Sequence, residues 1–221
     1  MGLDEKTIRE GLKGRRVLII EDDPDLAHRL IDLFGFWSVK ADDIAHRRCV
    51  KGALHGALDL LNDSGDSFDL MCVDVMLPWD EERLKASDDL QRQWNELQEK
   101  ITLLRDYRAT EDDEIGELRN EIGTLSEQMQ ATIDRKAGLR MIVEWCKGMK
   151  ERFGDAWVPH TAILFLTARQ APSLAAEITE IKDYLGDHPN MKWITKPALE
   201  SQVVTAAGEL LANRPKRRTK L

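Results

Sequence analysis

The chain has 221 residues, room for one or two domains, and carries 40 acidic against 32 basic residues for a net charge of -8. That surplus argues against a nucleic-acid-binding body, and neither a signal peptide nor an apolar run of membrane-spanning length is present. Cys49, Cys72 and Cys146 are odd in number and lack metal-ligand spacing, so free thiols in a reducing, cytoplasmic compartment are expected.

Residues 1–14 are expected to hold no more than a loose helical turn. The apolar run over 16–20 reads as a strand that ends at Glu21 and Asp22. A helix follows over 24–34, with Leu26, Leu30 and Leu33 on one face and Asp23 at its start, where negative charge meets the helix dipole. A second strand is expected over 37–41 and a helix over 52–62. The run Leu70, Met71, Cys72, Val73 reads as a third, buried strand over 69–73 that ends at Asp74. Beyond a long charged segment come a helix over 139–153, a strand over 161–166 ending at Thr167, and a helix over 172–185. A strand over 191–194 precedes Lys196 and Pro197, and a helix over 198–212 follows. The basic tail, residues 214–221, reads as a solubilising end. This βα alternation implies a parallel sheet covered on both faces.

Each of four strand ends carries a residue suited to handling a phosphoryl group: Glu21 and Asp22, Asp74, Thr167, and Lys196 with Pro197. In an open parallel sheet such ends lie along one edge, so these residues converge in one crevice. In this order and context they resemble the receiver domain of bacterial two-component response regulators. The resemblance implies a doubly wound, five-stranded, flavodoxin-like α/β fold with strand order 2-1-3-4-5. It also implies that Asp74 accepts the phosphoryl group from a histidine kinase or phosphotransfer protein. Mg²⁺ is expected between Asp74, Asp22 and the backbone carbonyl of Met76, with Glu21 acting through a water. Lys196 would give a compact positive charge to a phosphoryl oxygen, and Thr167 a hydroxyl that follows it. The family also suggests a cis bond between Lys196 and Pro197, and a switch in which Trp193 swings inward as Thr167 moves; a packed core Trp is the alternative. Met76 and Arg169 match positions that tune phosphoryl lifetime, and apolar Met76 cannot orient an attacking water. Such a protein is a phosphoacceptor that promotes its own phosphorylation and dephosphorylation, not an enzyme with a separate substrate. His46, Cys49 and His55 lack a fourth partner and are not read as a metal site. A GxSxG elbow, a Gly-rich phosphate loop and HExxH are absent.

The departure from the family is residues 79–137, inserted where receivers pass to the next helix in a few residues. The receiver is thus discontinuous, 15–78 and 138–213. Leu90, Trp94, Leu97, Ile101 and Leu104 step by four and three, as do Ile115, Leu118, Ile122, Leu125 and Met129. A fold-back at Ala109 and Thr110 sets the two seams opposite each other, with Thr110 as N-cap of an acidic second arm. An antiparallel coiled-coil hairpin is expected; the alternative is one continuous helix paired between chains, since Arg108 and Glu111 keep the heptad phase through the turn. No output domain is expected after the last helix, so output would pass through protein contacts, with the hairpin as candidate surface for a downstream protein or a second copy of the chain. No nucleic acid or membrane partner is expected. The competing reading is a constitutive receiver-fold scaffold that no longer accepts phosphate, and the intact Glu21, Asp22, Asp74, Thr167 and Lys196 count against it. An aspartyl-phosphate phosphatase would need a second Asp where Met76 stands.

Overall fold

The computed structural model of the chain describes residues 3–64, 68–106, 112–154, 161–168, 174–185, 191–197 and 200–212. Five parallel strands form its centre: β1 (Val17–Ile20), β2 (Ile44–Arg47), β3 (Leu70–Asp74), β6 (Ala162–Thr167) and β7 (Met191–Thr195), in the order β2-β1-β3-β6-β7. Every residue of β1, β3 and β6 is buried, as continuous apolar strands in a parallel sheet must be when both faces are covered. Alternate residues sort into two cores. Leu18, Ile20, Met71, Val73, Ile163 and Phe165 pack under α3 (Val50–Ser64), α6 (Ala137–Phe153) and α7 (Ala175–Leu185). Val17, Ile19, Leu70, Cys72, Leu164 and Leu166 pack under α1 (Glu5–Leu12), α2 (Pro24–Phe36) and α8 (Glu200–Leu211). The fold is therefore the doubly wound α/β arrangement expected, with the order 2-1-3-4-5 when only the strands of this sheet are numbered.

Two elements differ from expectation. The second strand lies at Ile44–Arg47, not over 37–41. The preceding helix runs on to Phe36 and closes with the Val39 amide donating to the Phe34 carbonyl at 3.0 Å across Ser38, whose φ is +79°. This is the six-to-one closure of a helix C-terminus. It consumes residues 37–39, and a 3-10 turn at Ala41–Asp43 intervenes before pairing begins. β2 is an edge strand whose four residues are only half-buried or exposed, so its sequence lacks the apolar run that marks the others.

The chain's start is a full two-turn helix rather than a loose turn. Asp4 caps α1 by accepting from the Thr7 amide at 2.8 Å, and Ile8 and Leu12 are buried. Gly11 and Gly208 let α1 and α8 cross closely; a Cβ on Gly208 would fall 3.0 Å from Ile8. Arg15 fastens this corner. Its buried guanidinium donates to the carbonyls of Gly11 at 3.1 Å and Leu211 at 3.3 Å, and pairs with Asp69 at 3.3 Å just before β3.

The insertion is a helical hairpin. α4 (Glu81–Asp106) and α5 (Asp112–Thr132) pack along one another within one chain, which sets aside the single continuous helix. Ile101, Leu118 and Leu125 are buried in the seam and its other seven residues half-buried, while Leu103 beside it stays 50% exposed. Lys100 near the end of α4 meets Glu114 near the start of α5 at 3.7 Å, as antiparallel arms require. The expected break, with Arg108, Ala109, Thr110 and Glu111, lies outside the described residues, as does the tail. At the base, β4 (Leu77–Pro78) and β5 (Ile133–Asp134) pair antiparallel and bring both ends of the insertion together.

Arg15→Met should leave Asp69 and two carbonyls buried without their cation. Breaking a buried pair from one side costs about 3 kcal/mol or more. The expected result is a lower urea midpoint with unchanged slope; an unaltered midpoint would show that α1 and α8 do not depend on this contact.

Candidate functional site

The C-terminal ends of four strands deliver their side chains to one edge. Lys196, just after β7, places Nζ 2.9 Å from Glu21 Oε2 and 2.7 Å from Asp74 Oδ2. Oxygen atoms of Glu21, Asp22 and Asp74 lie within 4.8 Å of one another, and Glu21 is only 1% exposed. The Met76 amide donates to Asp74 Oδ1 at 3.1 Å, so both carboxylate oxygens of Asp74 are held. Thr167 is buried one position beyond the Leu166–Asp74 register pair, and its carbonyl accepts from the Lys196 amide at 2.7 Å. The Lys196–Pro197 bond is cis. Trp193 is half-buried and stacks on Phe165, ring centres 4.2 Å apart. Asp23 is the N-cap of α2, accepting from the amides of Asp25 and Leu26. Arg169 lies outside the described residues. Glu21, Asp22, Asp74 and Lys196 thus meet at one edge of the sheet, with Thr167 at the neighbouring strand end.

One ammonium does not offset three carboxylates at this depth. Burial first, and Asp74 next, push Glu21 up to about 8; the same two causes push Asp22 up to about 6. Burial alone would lower Lys196, but Asp74 and then Glu21 outweigh it and raise it, so the amine stays charged. Carboxylates whose charged forms are this disfavoured suit a hard divalent cation, which takes oxygen ligands and would relieve their repulsion. The donor set of Glu21, Asp22 and Asp74 therefore fits Mg²⁺.

Three further residues shape the site: His46, Arg48 and Gly138. His46 Nε2 donates to the Glu21 carbonyl at 2.8 Å, and Arg48 donates from Nε and Nη2 to the Asp22 carbonyl at 3.1 and 2.9 Å. Bonds to main-chain oxygens leave no sequence pattern. Gly138 did leave one. It opens α6 so close to β3 that a Cβ would overlap the Asp74 carbonyl oxygen, and its amide donates to the Val75 carbonyl at 3.1 Å. A glycine in the first turn of a helix, where it weakens propensity, signals such an approach.

No protein-family model matches the chain, and no curated protein matches it. Solved structures similar to it include a fusion carrying a yeast Spc42 trimeric coiled coil, at 14% identity and TM-score 0.44, covering 91% of this chain and 80% of that one. The BeF3-activated DrrB receiver domain is similar at 13% identity and TM-score 0.43, over 89% of this chain and 97% of that one. The response regulator DrrB, a Thermotoga maritima OmpR/PhoB homolog, is similar at 14% identity and TM-score 0.39, over 86% and 49%. No helix among the described residues is long and apolar enough to cross a membrane.

Because Glu21 holds its proton more tightly folded than unfolded, it contributes stability at acid pH that is lost as pH rises from 4.5 through about 8. Asp22 adds the same sign between 3.8 and about 6. In chelator, the parent should therefore lose stability relative to Glu21→Gln across that window, and millimolar Mg²⁺ should reverse the trend. Parallel pH profiles for the two proteins would contradict the raised Glu21.

Proposed function

We propose that this chain is a phosphorylated receiver. Asp74 accepts a phosphoryl group from a histidine kinase or phosphotransfer protein, and the hairpin passes the result on by protein contacts, to a downstream protein or to a second copy of the chain. The observation that supports this most is Lys196 Nζ lying 2.7 Å from Asp74 Oδ2 within the Glu21, Asp22, Asp74 cluster. Phosphoryl transfer asks chiefly for positioning and charge neutralisation. An Asp74 oxygen bonds to phosphorus as the bond from phosphorus to the donor's imidazole nitrogen breaks, and that nitrogen keeps the electron pair. The Met76 amide holds the carboxylate in place at Oδ1. Lys196, already charged and half-buried beside the nucleophile, moves from carboxylate to phosphoryl oxygen with little reorganisation. Mg²⁺ held by Glu21, Asp22 and Asp74 would neutralise further charge on the transferring group. Thr167 supplies a hydroxyl at the neighbouring strand end, and Trp193, lying over β6, is the aromatic that would report its movement. Met76 offers no side-chain group to orient a water, which favours slow loss of phosphate.

Incubation with Mg²⁺ and a small-molecule phosphodonor should add one phosphoryl mass to the parent and none to Asp74→Asn. Mg²⁺ should also raise the melting temperature, with about 2.7 kcal/mol gained at a hundredfold excess over its dissociation constant. Asp22→Ala should lose that gain. A flat Mg²⁺ titration with no labelling would replace this reading by a constitutive scaffold.

A further inference from the structure

Arg48 touches the acidic pocket and the first arm of the hairpin at once. Its Nε and Nη2 donate to the carbonyl of Asp22, at 3.1 and 2.9 Å, while Nη1 and Nη2 hold the two carboxylate oxygens of Asp88 at 3.0 and 2.7 Å. Asp22 belongs to the acidic pocket and Asp88 to the first arm of the hairpin. A guanidinium is planar and its N–H groups form a rigid fork, so it cannot follow one partner without leaving the other.

We infer that Arg48 is a positioning residue that couples cation binding in the acidic pocket to the seating of the hairpin against the body; this rests on the reading of Glu21, Asp22 and Asp74 as a divalent-cation site. The pair with Asp88 is 31% and 44% exposed, and an exposed pair adds little to stability, so its effect is geometric. The base of the hairpin is already fastened elsewhere. The Lys51 amide donates to the Trp79 carbonyl at 3.0 Å, Lys51 Nζ meets Asp80 at 3.2 Å, and the Cys49 thiol donates to Glu81 at 3.3 Å. Asp88 sits about two turns further along α4. Contacts at the base leave tilt open, and a contact two turns out closes it.

The coupling has a definite sign. Two N–H groups on its carbonyl fix the main chain that carries the Asp22 carboxylate, and Asp88 neutralises the charge that Arg48 would otherwise turn on an incoming cation. Seating the arm therefore favours the cation. By linkage the cation favours seating to the same degree, since a coupling free energy is reciprocal.

The test uses the full chain and Mg²⁺ alone. Spin labels at Lys40→Cys and Glu96→Cys, both exposed positions, report the distance from body to arm; the native cysteines are buried. In the parent, Mg²⁺ should narrow the distance distribution. Arg48→Met and Asp88→Asn should each keep it broad and weaken Mg²⁺ binding about fivefold, the low end of typical coupling. The double variant should weaken binding no further than either single change, because the two act through one link. Additive losses, or distances indifferent to Mg²⁺ while the melting temperature still rises with it, would overturn the coupling and leave the pocket intact. No Mg²⁺-induced rise in melting temperature in the parent would remove the pocket reading and the coupling together.

Discussion

Lys196 stands between the buried carboxylates of Glu21 and Asp74, with Asp22 beside them, and the charge balance at that point governs how the rest of the edge is built. Leaving acids at this depth is unfavourable unless positive charge accompanies them. A single ammonium covers part of the deficit, and the remainder is met either by a proton on Glu21 or by a cation. The edge is thus poised to gain positive charge. Its backbone is secured accordingly: His46 and Arg48 take the carbonyls of Glu21 and Asp22 from the neighbouring strand and loop, so the acidic pair is held by its main chain as well.

The hairpin is fitted to this edge at both ends. It departs three residues after Asp74 through β4 and returns through β5 into α6, whose Gly138 presses against the Asp74 carbonyl. Packed interiors do not deform continuously, so a close contact of this kind transmits a displacement rather than absorbing it. Asp74 and the helix that carries the returning chain therefore share one main-chain contact. Arg48 adds a second connection from the opposite side of the insertion, through α4.

What could be read from the residues follows from what each interaction writes into the sequence. β1, β3 and β6 are fully buried and appear as unbroken apolar runs; the seam of α4 and α5 appears as a heptad because ten residues must face inward at fixed spacing. β2 is half-exposed at the sheet's edge and shows no such run, whereas Trp37 and Val39, which do look strand-like, serve the closure of α2. α1 is faint in the sequence because its buried apolar residues are only Ile8 and Leu12, and the anchor that fastens it, Arg15, is a charged residue whose burial no periodicity reveals. The side chains of the acidic pocket were legible through their chemistry. Arg48 and His46 were not, since a carbonyl accepts from any donor and leaves no trace of its choice.

The ribbon of β4 and β5 has a consequence for how such an insertion can vary. Leu77 pairs with Asp134 and Pro78 with Ile133, so everything beyond that stem is, to the sheet, a loop whose ends already touch. The entropy of closing it grows only slowly with length. Whole heptads could be added to or removed from both arms outside Asp88 without moving Asp74, Lys196 or Gly138. Arm length can therefore be reset without disturbing the acidic cluster at the foot of the insertion.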